Sequence, residues 1–153
     1  MTKAEWPHNL PLWRRFYRAE SPDGRHVAQI DPAYEVSMGN PTSGTLCISS
    51  GPHIERCNPC FIWSDDSRYL AVPQFFLRWG FFRRQRLLIV AFEEKRVFAS
   101  DESAHYFQPE SFSRGHLLVT INPFSSDRVM TVKIPAELSA RFSRAYVPWP
   151  EAA

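Results

Sequence analysis

One stretch of this chain, residues 60–73, constrains the fold more than any other. It reads Cys-Phe-Ile-Trp-Ser-Asp-Asp-Ser-Arg-Tyr-Leu-Ala-Val-Pro, with polar residues between two apolar runs. Ser and Asp favour tight turns because their side chains bond to nearby backbone N–H groups. β-Branched and aromatic residues favour the flanking strands. The stretch therefore predicts a strand, a tight turn and a second strand, with Trp63 directly before the turn.

Weaker copies of this turn occur earlier and later in the chain. Ser21 opens Ser-Pro-Asp-Gly-Arg, forty-three positions before Ser64, and Ser113 opens Ser-Arg-Gly-His, forty-nine positions after Ser64. A period in the forties with several short strands is typical of propeller blades. The sequence thus predicts three repeats, at residues 13–50, 58–100 and 105–135, within one all-β domain over residues 1–153.

The segment Trp-Ser-Asp-Asp-Ser-Arg-Tyr-Leu-Ala-Val, residues 63–72, resembles the blade turn of Tol-type β-propellers. The resemblance implies that the Trp fills the space between stacked sheets and that an Asp accepts backbone N–H bonds at the turn. Three repeats are too few to close a ring, since propellers have about four to eight blades. We therefore expect an open stack of three small antiparallel sheets, or a sandwich made from them.

Two further elements follow from local patterns. The continuous apolar run from Leu87 to Phe92 predicts a central strand that is buried on both faces. Pro135 suits the start of a helix, and Pro148 cannot continue one. The sequence therefore predicts a short C-terminal helix over residues 136–146.

Composition excludes several classes of protein. A chain of 153 residues with 44% hydrophobic and 14% aromatic residues can bury a core. A net charge of +2 is too small for an electrostatic nucleic-acid footprint. No run approaches the roughly 20 apolar residues of a membrane span, and the first residues lack the apolar core of a signal peptide. With three cysteines, an odd number, we expect a cytoplasmic protein with reduced thiols.

The strongest candidate for a metal site combines three cysteines and a histidine: Cys47, His53, Cys57 and Cys60. The two-residue spacing of Cys57 and Cys60 is that of a zinc knuckle. However, a second pair of ligands at that spacing is missing, and cysteines in strands commonly act as small buried hydrophobes. We therefore expect no metal and no cofactor, and keep a zinc-binding domain, or an enzyme that uses these four residues, as the alternative.

Adjacent acids occur twice in predicted turns. Asp65 and Asp66 are interpreted as turn residues rather than as a catalytic pair, because adjacent side chains on a turn diverge. Glu93 and Glu94 are hairpin-turn charges by the same argument. Such acids could still form an acidic rim for a basic partner. Since no serine sits in a Gly-x-Ser-x-Gly elbow and no Gly-rich phosphate loop occurs, the sequence predicts no enzyme.

Residues 75–86, Phe-Phe-Leu-Arg-Trp-Gly-Phe-Phe-Arg-Arg-Gln-Arg, interleave five aromatic residues with four arginines. Both residue types are enriched at protein-binding hot spots. Surfaces that bind single-stranded nucleic acid also use them. The plainer interpretation is a further strand in which Phe75, Leu77, Trp79 and Phe81 alternate and face the core. We expect a protein interface here in preference to nucleic acid, because the net charge is small.

These patterns together favour a non-enzymatic protein-binding module. The segments at residues 36–41 and 63–73 also resemble, in type, small bacterial immunity proteins encoded beside polymorphic toxins of the Rhs and type VI secretion kind. That resemblance implies a toxin domain as partner, whose active site the chain blocks. From composition and motifs we expect no membrane partner and no small-molecule substrate, and we expect a protein partner in preference to nucleic acid. The predicted contact residues are Asp65, Asp66, Phe76, Arg78, Trp79, Phe82, Arg83, Arg84, Glu93 and Glu94.

Overall fold

The computed structural model describes residues 11–37, 39–123 and 128–151. In chain order its strands are β1 (Tyr17–Glu20), β2 (Val27–Ile30), β3 (Tyr34–Glu35), β4 (Thr42–Ile48), β5 (His53–Cys57), β6 (Ile62–Trp63), β7 (Tyr69–Arg78), β8 (Phe82–Ala91), β9 (Arg96–Ala104), β10 (Phe107–Ser113), β11 (His116–Ile121), β12 (Val129–Lys133) and β13 (Phe142–Ala145). A 3-10 helix, Pro11–Trp13, precedes β1, and an α-helix of four residues, α1 (Leu138–Arg141), precedes β13.

All pairings between these strands are antiparallel, and they form two sheets. The larger sheet has the order β1-β2-β4-β5-β7-β8-β9-β13, with β3 paired to β4 and β6 paired to β7. The smaller sheet has the order β10-β11-β12. The described strands form an open sandwich, so the predicted all-β class is confirmed. No helix in the described part of the chain is long and apolar enough to cross a membrane.

The hairpin formed by β7 and β8 lies at the centre of the sandwich. Successive side chains of a strand point to opposite faces, and here they enter two different apolar clusters. Ile89 lies in the cluster that includes Leu117 and Val119 of the smaller sheet, whereas Val90 lies in the cluster that includes Leu46 of β4. The larger sheet therefore folds back over its own central hairpin. This arrangement confirms the prediction that the apolar run beginning at Leu87 forms a strand buried on both faces.

The first two predicted turns share one hydrogen-bond pattern. In the second copy the Ser64 hydroxyl donates to Asp66 Oδ1 at 2.6 Å. The same Asp66 oxygen accepts the Arg68 N–H at 3.0 Å, while Ser64 Oγ accepts the Tyr69 N–H at 2.9 Å. Ser21 and Asp23 repeat this pattern in the first copy, at 2.7 Å. A Ser followed two residues later by Asp is thus the repeated element.

The third predicted copy has a different turn. Ser113 faces His116 across the two residues Arg114 and Gly115, whose φ angles are 52° and 75°. Two consecutive positive φ angles define a type I′ hairpin turn. The residue two positions after Ser113 is Gly115 rather than Asp, so no carboxylate is available for the pattern of the other two copies.

The three repeats do not form three separate sheets. β5 lies between the first two repeats and pairs with β4 on one side and, through Cys57 and Gln74, with β7 on the other. Residues 13–50 and 58–100 therefore belong to one sheet, and residues 105–135 form a second sheet. The three turns nevertheless lie side by side. The Asp23 N–H donates to Ser67 Oγ at 2.9 Å, and the Arg114 N–H donates to Asp65 Oδ2 at 3.0 Å. We call this end of the molecule, with the β8–β9 turn at residues 92–95, the turn end.

The prediction of a helix over residues 136–146 was wrong in its extent. Only Leu138–Arg141 is α-helical, and residues Phe142–Ala145 pair with β9, with Phe142 opposite Ser100. Phe142 is 4% exposed and belongs to the main core. Burial of this ring and pairing with a free strand edge outweigh local helix propensity.

Candidate functional site

The predicted contact residues divide between the two ends of the β7–β8 hairpin. Asp65, Asp66, Glu93 and Glu94 lie at the turn end, and the predicted aromatic and arginine residues lie at the far end. Each strand of this hairpin has ten residues. A strand rises about 3.3 Å per residue, so the two groups are about 30 Å apart. The structure therefore does not bring them together in one compact site.

Three of the four predicted turn-end acids, Asp65, Asp66 and Glu93, have intramolecular partners. Asp66 closes its own turn, and Asp65 holds the neighbouring turn through the Arg114 N–H. Glu93 forms an ion pair with Arg68 at 3.0 Å. A partner at this end would therefore compete with bonds that maintain the fold.

The opposite end forms an exposed apolar tip, residues 77–82. The exposed fractions are 58% for Leu77, 72% for Trp79, 84% for Phe81 and 59% for Phe82. Of the four residues that alternate in this segment, Phe75, Leu77, Trp79 and Phe81, only Phe75 is buried, at 4% exposed. The interpretation that Leu77, Trp79 and Phe81 face the core was therefore wrong, because the hairpin extends beyond the strands that cover its base.

The turn at this tip places a bulky residue in a left-handed conformation. The Phe81 N–H donates to Arg78 O at 3.2 Å, and φ is 53° at Trp79 and 78° at Gly80. This is again a type I′ turn, in which Asn, Asp or Gly normally occupies the first central position. A left-handed conformation costs other L-residues roughly 1–2 kcal/mol. The fold thus holds an exposed aromatic residue in a conformation that it would not adopt by preference.

Contacts within the tip hold its side chains in place. The Arg78 guanidinium lies 4.5 Å from the centre of the Trp79 ring. The rings of Trp79 and Phe82 meet edge to face, with centroids 6.0 Å apart. The aromatic surface is therefore partly preorganised for a partner, which lowers the entropy cost of binding.

Of the four arginines in residues 75–86, two are hydrogen-bonded within the protein and two are exposed. Arg84 donates from Nε to Ser103 Oγ at 3.0 Å, and Arg86 donates from Nε to Gln74 Oε1 at 2.8 Å. Arg78 and Arg83 are exposed. The salt bridges between described residues all use other arginines. Within the described part of the chain, the tip and its base thus carry positive charge without an acidic neighbour in ion-pair contact.

A groove of about 500 Å³ runs beside the base of the tip. Its walls come from three parts of the chain: Val36, Ser43, Arg56, Phe75, Phe76, Leu77 and Arg83. Sequence reasoning missed Val36, Ser43 and Arg56, because only the fold brings them beside the hairpin. Leu77 and Phe81 were also left out of the predicted contacts, although both lie within the aromatic–arginine segment.

The charge of Arg56 affects another arginine near this groove. The pKa of Arg86 is lowered, first by burial of its guanidinium and next by the charge of Arg56. Like charges at close range disfavour each other unless an anion lies between them. Arg56 and Arg83 line the groove itself, so its wall carries positive charge.

The four candidate metal ligands do not converge. Cys47 is exposed and opposite His53, whereas Cys57 and Cys60 are buried in two separate apolar clusters. Burial raises the pKa of the Cys57 and Cys60 thiols, so both remain protonated, whereas metal binding requires thiolates. In residues 11–37, 39–123 and 128–151, no group of three or more His, Cys, Asp or Glu side chains is placed to hold a metal ion.

No family model matches the sequence, and no match was found among curated proteins or solved structures. The resemblances to propeller blades and to immunity proteins therefore stay predictions, and function must be argued from the hairpin tip.

Proposed function

We propose that this protein is a non-enzymatic binding module that recognises a protein partner through the tip of the β7–β8 hairpin. The observation that carries the proposal is the exposure of Leu77, Trp79, Phe81 and Phe82, together in six residues. The described residues include eight large hydrophobic side chains that are exposed, and half of them belong to this tip. Apolar surface concentrated in this way marks an interaction site.

The energy available from this surface is large. An aromatic side chain buries about 150–250 Å² when fully covered, and apolar burial contributes about 25 cal/mol per Å². At 72% exposure, Trp79 alone would contribute about 3 kcal/mol on complete burial. In the free protein this side chain adds little to the core, so its placement is explained better by binding than by folding.

A protein partner fits this surface better than nucleic acid. Trp and Arg are the residue types most enriched in binding hot spots, and both occur at the tip. Of the four arginines, Arg84 and Arg86 are occupied by bonds within the protein. Two exposed arginines and a net charge of +2 are a weak footprint for a phosphate backbone.

The finer proposal is that the partner is a toxin domain and that the protein is its bacterial, cytoplasmic inhibitor. Support comes from the resemblance in type to small immunity proteins, and from a hairpin whose exposed tip projects beyond the packed core. A projecting aromatic tip can enter a concave active site and exclude substrate. A complex of this kind buries roughly 1,200–2,000 Å² in total, which requires surfaces beyond the tip itself.

Co-expression with the product of the adjacent gene tests both levels of the proposal. We expect a complex that survives purification. We also expect that cells harmed by the partner alone grow normally when they express this protein as well. Trp79→Asn should weaken the complex and the protection together. Lys95→Asn is the matched control, because Lys95 also has a left-handed φ of 53° but lies at the turn end. If Lys95→Asn abolishes binding and Trp79→Asn does not, the hairpin tip is not the contact surface.

A further inference from the structure

The outer edge of β7 is only partly covered by other strands. On the side away from β8, β6 pairs with Leu70 and Ala71, and β5 pairs with Gln74. Among the described residues no strand pairs with this edge from residue 75 to residue 78. β5 ends its contact with β7 beside Arg56, whose φ of 59° turns the chain away. The diverging strands open the groove described above.

Backbone groups of β7 point into this opening. The Asn58 N–H donates to Pro73 O at 2.9 Å, so the carbonyl of Pro73 points toward β5 rather than toward β8. In an antiparallel strand every second residue directs its N–H and C=O to the same side. The backbone groups of Leu77 therefore also point away from β8, at a position where no described strand pairs with them. An unpaired strand edge of this kind is a template for another strand.

The side chains around this edge define what kind of strand would fit. Phe75, Phe76 and Leu77 supply apolar walls, and Arg56 and Arg83 supply positive charge without a salt bridge to any described acid. The volume of about 500 Å³ lies within the range of ligand-binding clefts. Charge complementarity thus favours a segment with a carboxylate among apolar residues.

We propose that this open edge binds an extended acidic segment of the protein partner, which pairs with β7 at Leu77 and places a carboxylate in the groove lined by Arg56 and Arg83. Main-chain bonds to the edge provide affinity, and the two arginines select an acidic side chain. The inference rests on the proposed function, since the added strand belongs to the protein that the tip recognises. A nucleic-acid strand has no row of N–H and C=O groups to match this edge.

An NMR titration of the full chain tests the inference without knowledge of the partner. The probe is the acetylated and amidated peptide Ser-Thr-Val-Glu-Val-Thr-Ser, with matched peptides in which Gln or Lys replaces the Glu. We expect the largest amide shifts at Leu77 and Arg83. The Gln peptide should bind about tenfold more weakly, because it lacks the charge that strengthens a hydrogen bond to an arginine. The Lys peptide should bind more weakly still.

Two variants separate the backbone contribution from the charge. Leu77→Pro removes the edge N–H but no bond to β8, and Leu77→Ala keeps that N–H as the matched control. We expect Leu77→Pro to abolish peptide shifts and Leu77→Ala to retain them. Arg83→Gln should remove the preference for Glu over Gln, and it keeps the inference testable if Leu77→Pro fails to fold.

Several outcomes would overturn the inference. Equal affinity for the Glu and Lys peptides would exclude charge selection, and shifts confined to the edges of β1, β12 or β13 would place the binding elsewhere. Displacement of the peptide by oligo-dT, with a steep salt dependence, would point to nucleic acid instead. If no peptide binds but the protein partner binds in a Trp79-dependent way, this inference fails and the proposed function stands. If the partner does not bind either, both fail.

Discussion

Replacing Trp79 by Asn separates a binding role of the hairpin tip from a structural one. The change keeps a residue that tolerates the left-handed φ of 53° and removes an indole that is 72% exposed. If the tip serves the fold, the substitution should destabilise the protein. If it serves a partner, stability should hardly change while binding is lost.

Two effects on the free energy of unfolding oppose each other. Relief of the left-handed strain at Trp79 contributes up to roughly 1–2 kcal/mol of stability. Loss of the contact with Arg78 costs about 0.5–1 kcal/mol at an exposed site. Loss of the edge contact with Phe82 costs about 0.5–1.5 kcal/mol. Because these terms nearly cancel, we expect a change within about 1 kcal/mol.

A buried tryptophan provides the contrast. Trp63 is 8% exposed, and its indole N–H donates to Ala19 O at 3.0 Å. Trp63→Ala should therefore cost about 3–5 kcal/mol. Urea denaturation of the two variants and the wild type measures both effects under the same conditions.

The effect on binding should be much larger than the effect on stability. A hot-spot residue contributes 2 kcal/mol or more, so Trp79→Asn should weaken the partner complex by roughly 30-fold. Titration calorimetry with the purified partner measures this ratio, with Lys95→Asn as the control. A loss of more than about 2 kcal/mol of stability, or an unchanged affinity, would show that Trp79 serves the fold and not the binding of a partner.

Three further predictions concern the core, the turns and the thiols. Ile89→Ala, in a fully buried position of the central hairpin, should cost about 2–5 kcal/mol in urea denaturation. The pKa of Asp23 is lowered from its usual value of 3.8, mainly because its carboxylate accepts a hydrogen bond from the Arg25 N–H and, to a smaller extent, one from the Ser21 hydroxyl. The contribution of Asp23 to the free energy of unfolding is therefore present above pH 3.8, and it is lost as the pH falls through the lower pKa of the folded state. Asp23→Asn should therefore lose less stability on acidification than the wild type, as measured by urea denaturation at several pH values. Of the three thiols, only Cys47 should react with a disulfide reagent in the native protein, since Cys57 and Cys60 are buried; three reactive thiols before unfolding would contradict this.

The fold class could be predicted from the sequence because its signals are local. A Ser with Asp two residues later defines the first two turns, and the run after Leu87 shows a strand covered on both faces. The merging of two repeats into one sheet could not be predicted, because it depends on the pairing of Cys57 with Gln74. The strand at residues 142–145 was missed for the same reason, since it forms only against β9.

The candidate site was predictable in part. The alternation of aromatic residues and arginines in residues 75–86 singled out Trp79, but alternation alone does not distinguish a core strand from a projecting hairpin. That distinction depends on where β5 leaves β7, near Arg56. The turn acids Asp65 and Glu93 looked like contact residues because acids in turns are exposed, yet both have intramolecular partners.

Hydrogen–deuterium exchange on the partner complex tests most directly whether the hairpin tip is the contact surface. We expect slower exchange over residues 75–84 when the partner is bound, and unchanged exchange at the turn end, residues 64–68 and 92–95. Slower exchange at the turn end, with the tip unchanged, would show that the partner binds the turn end and not the hairpin tip.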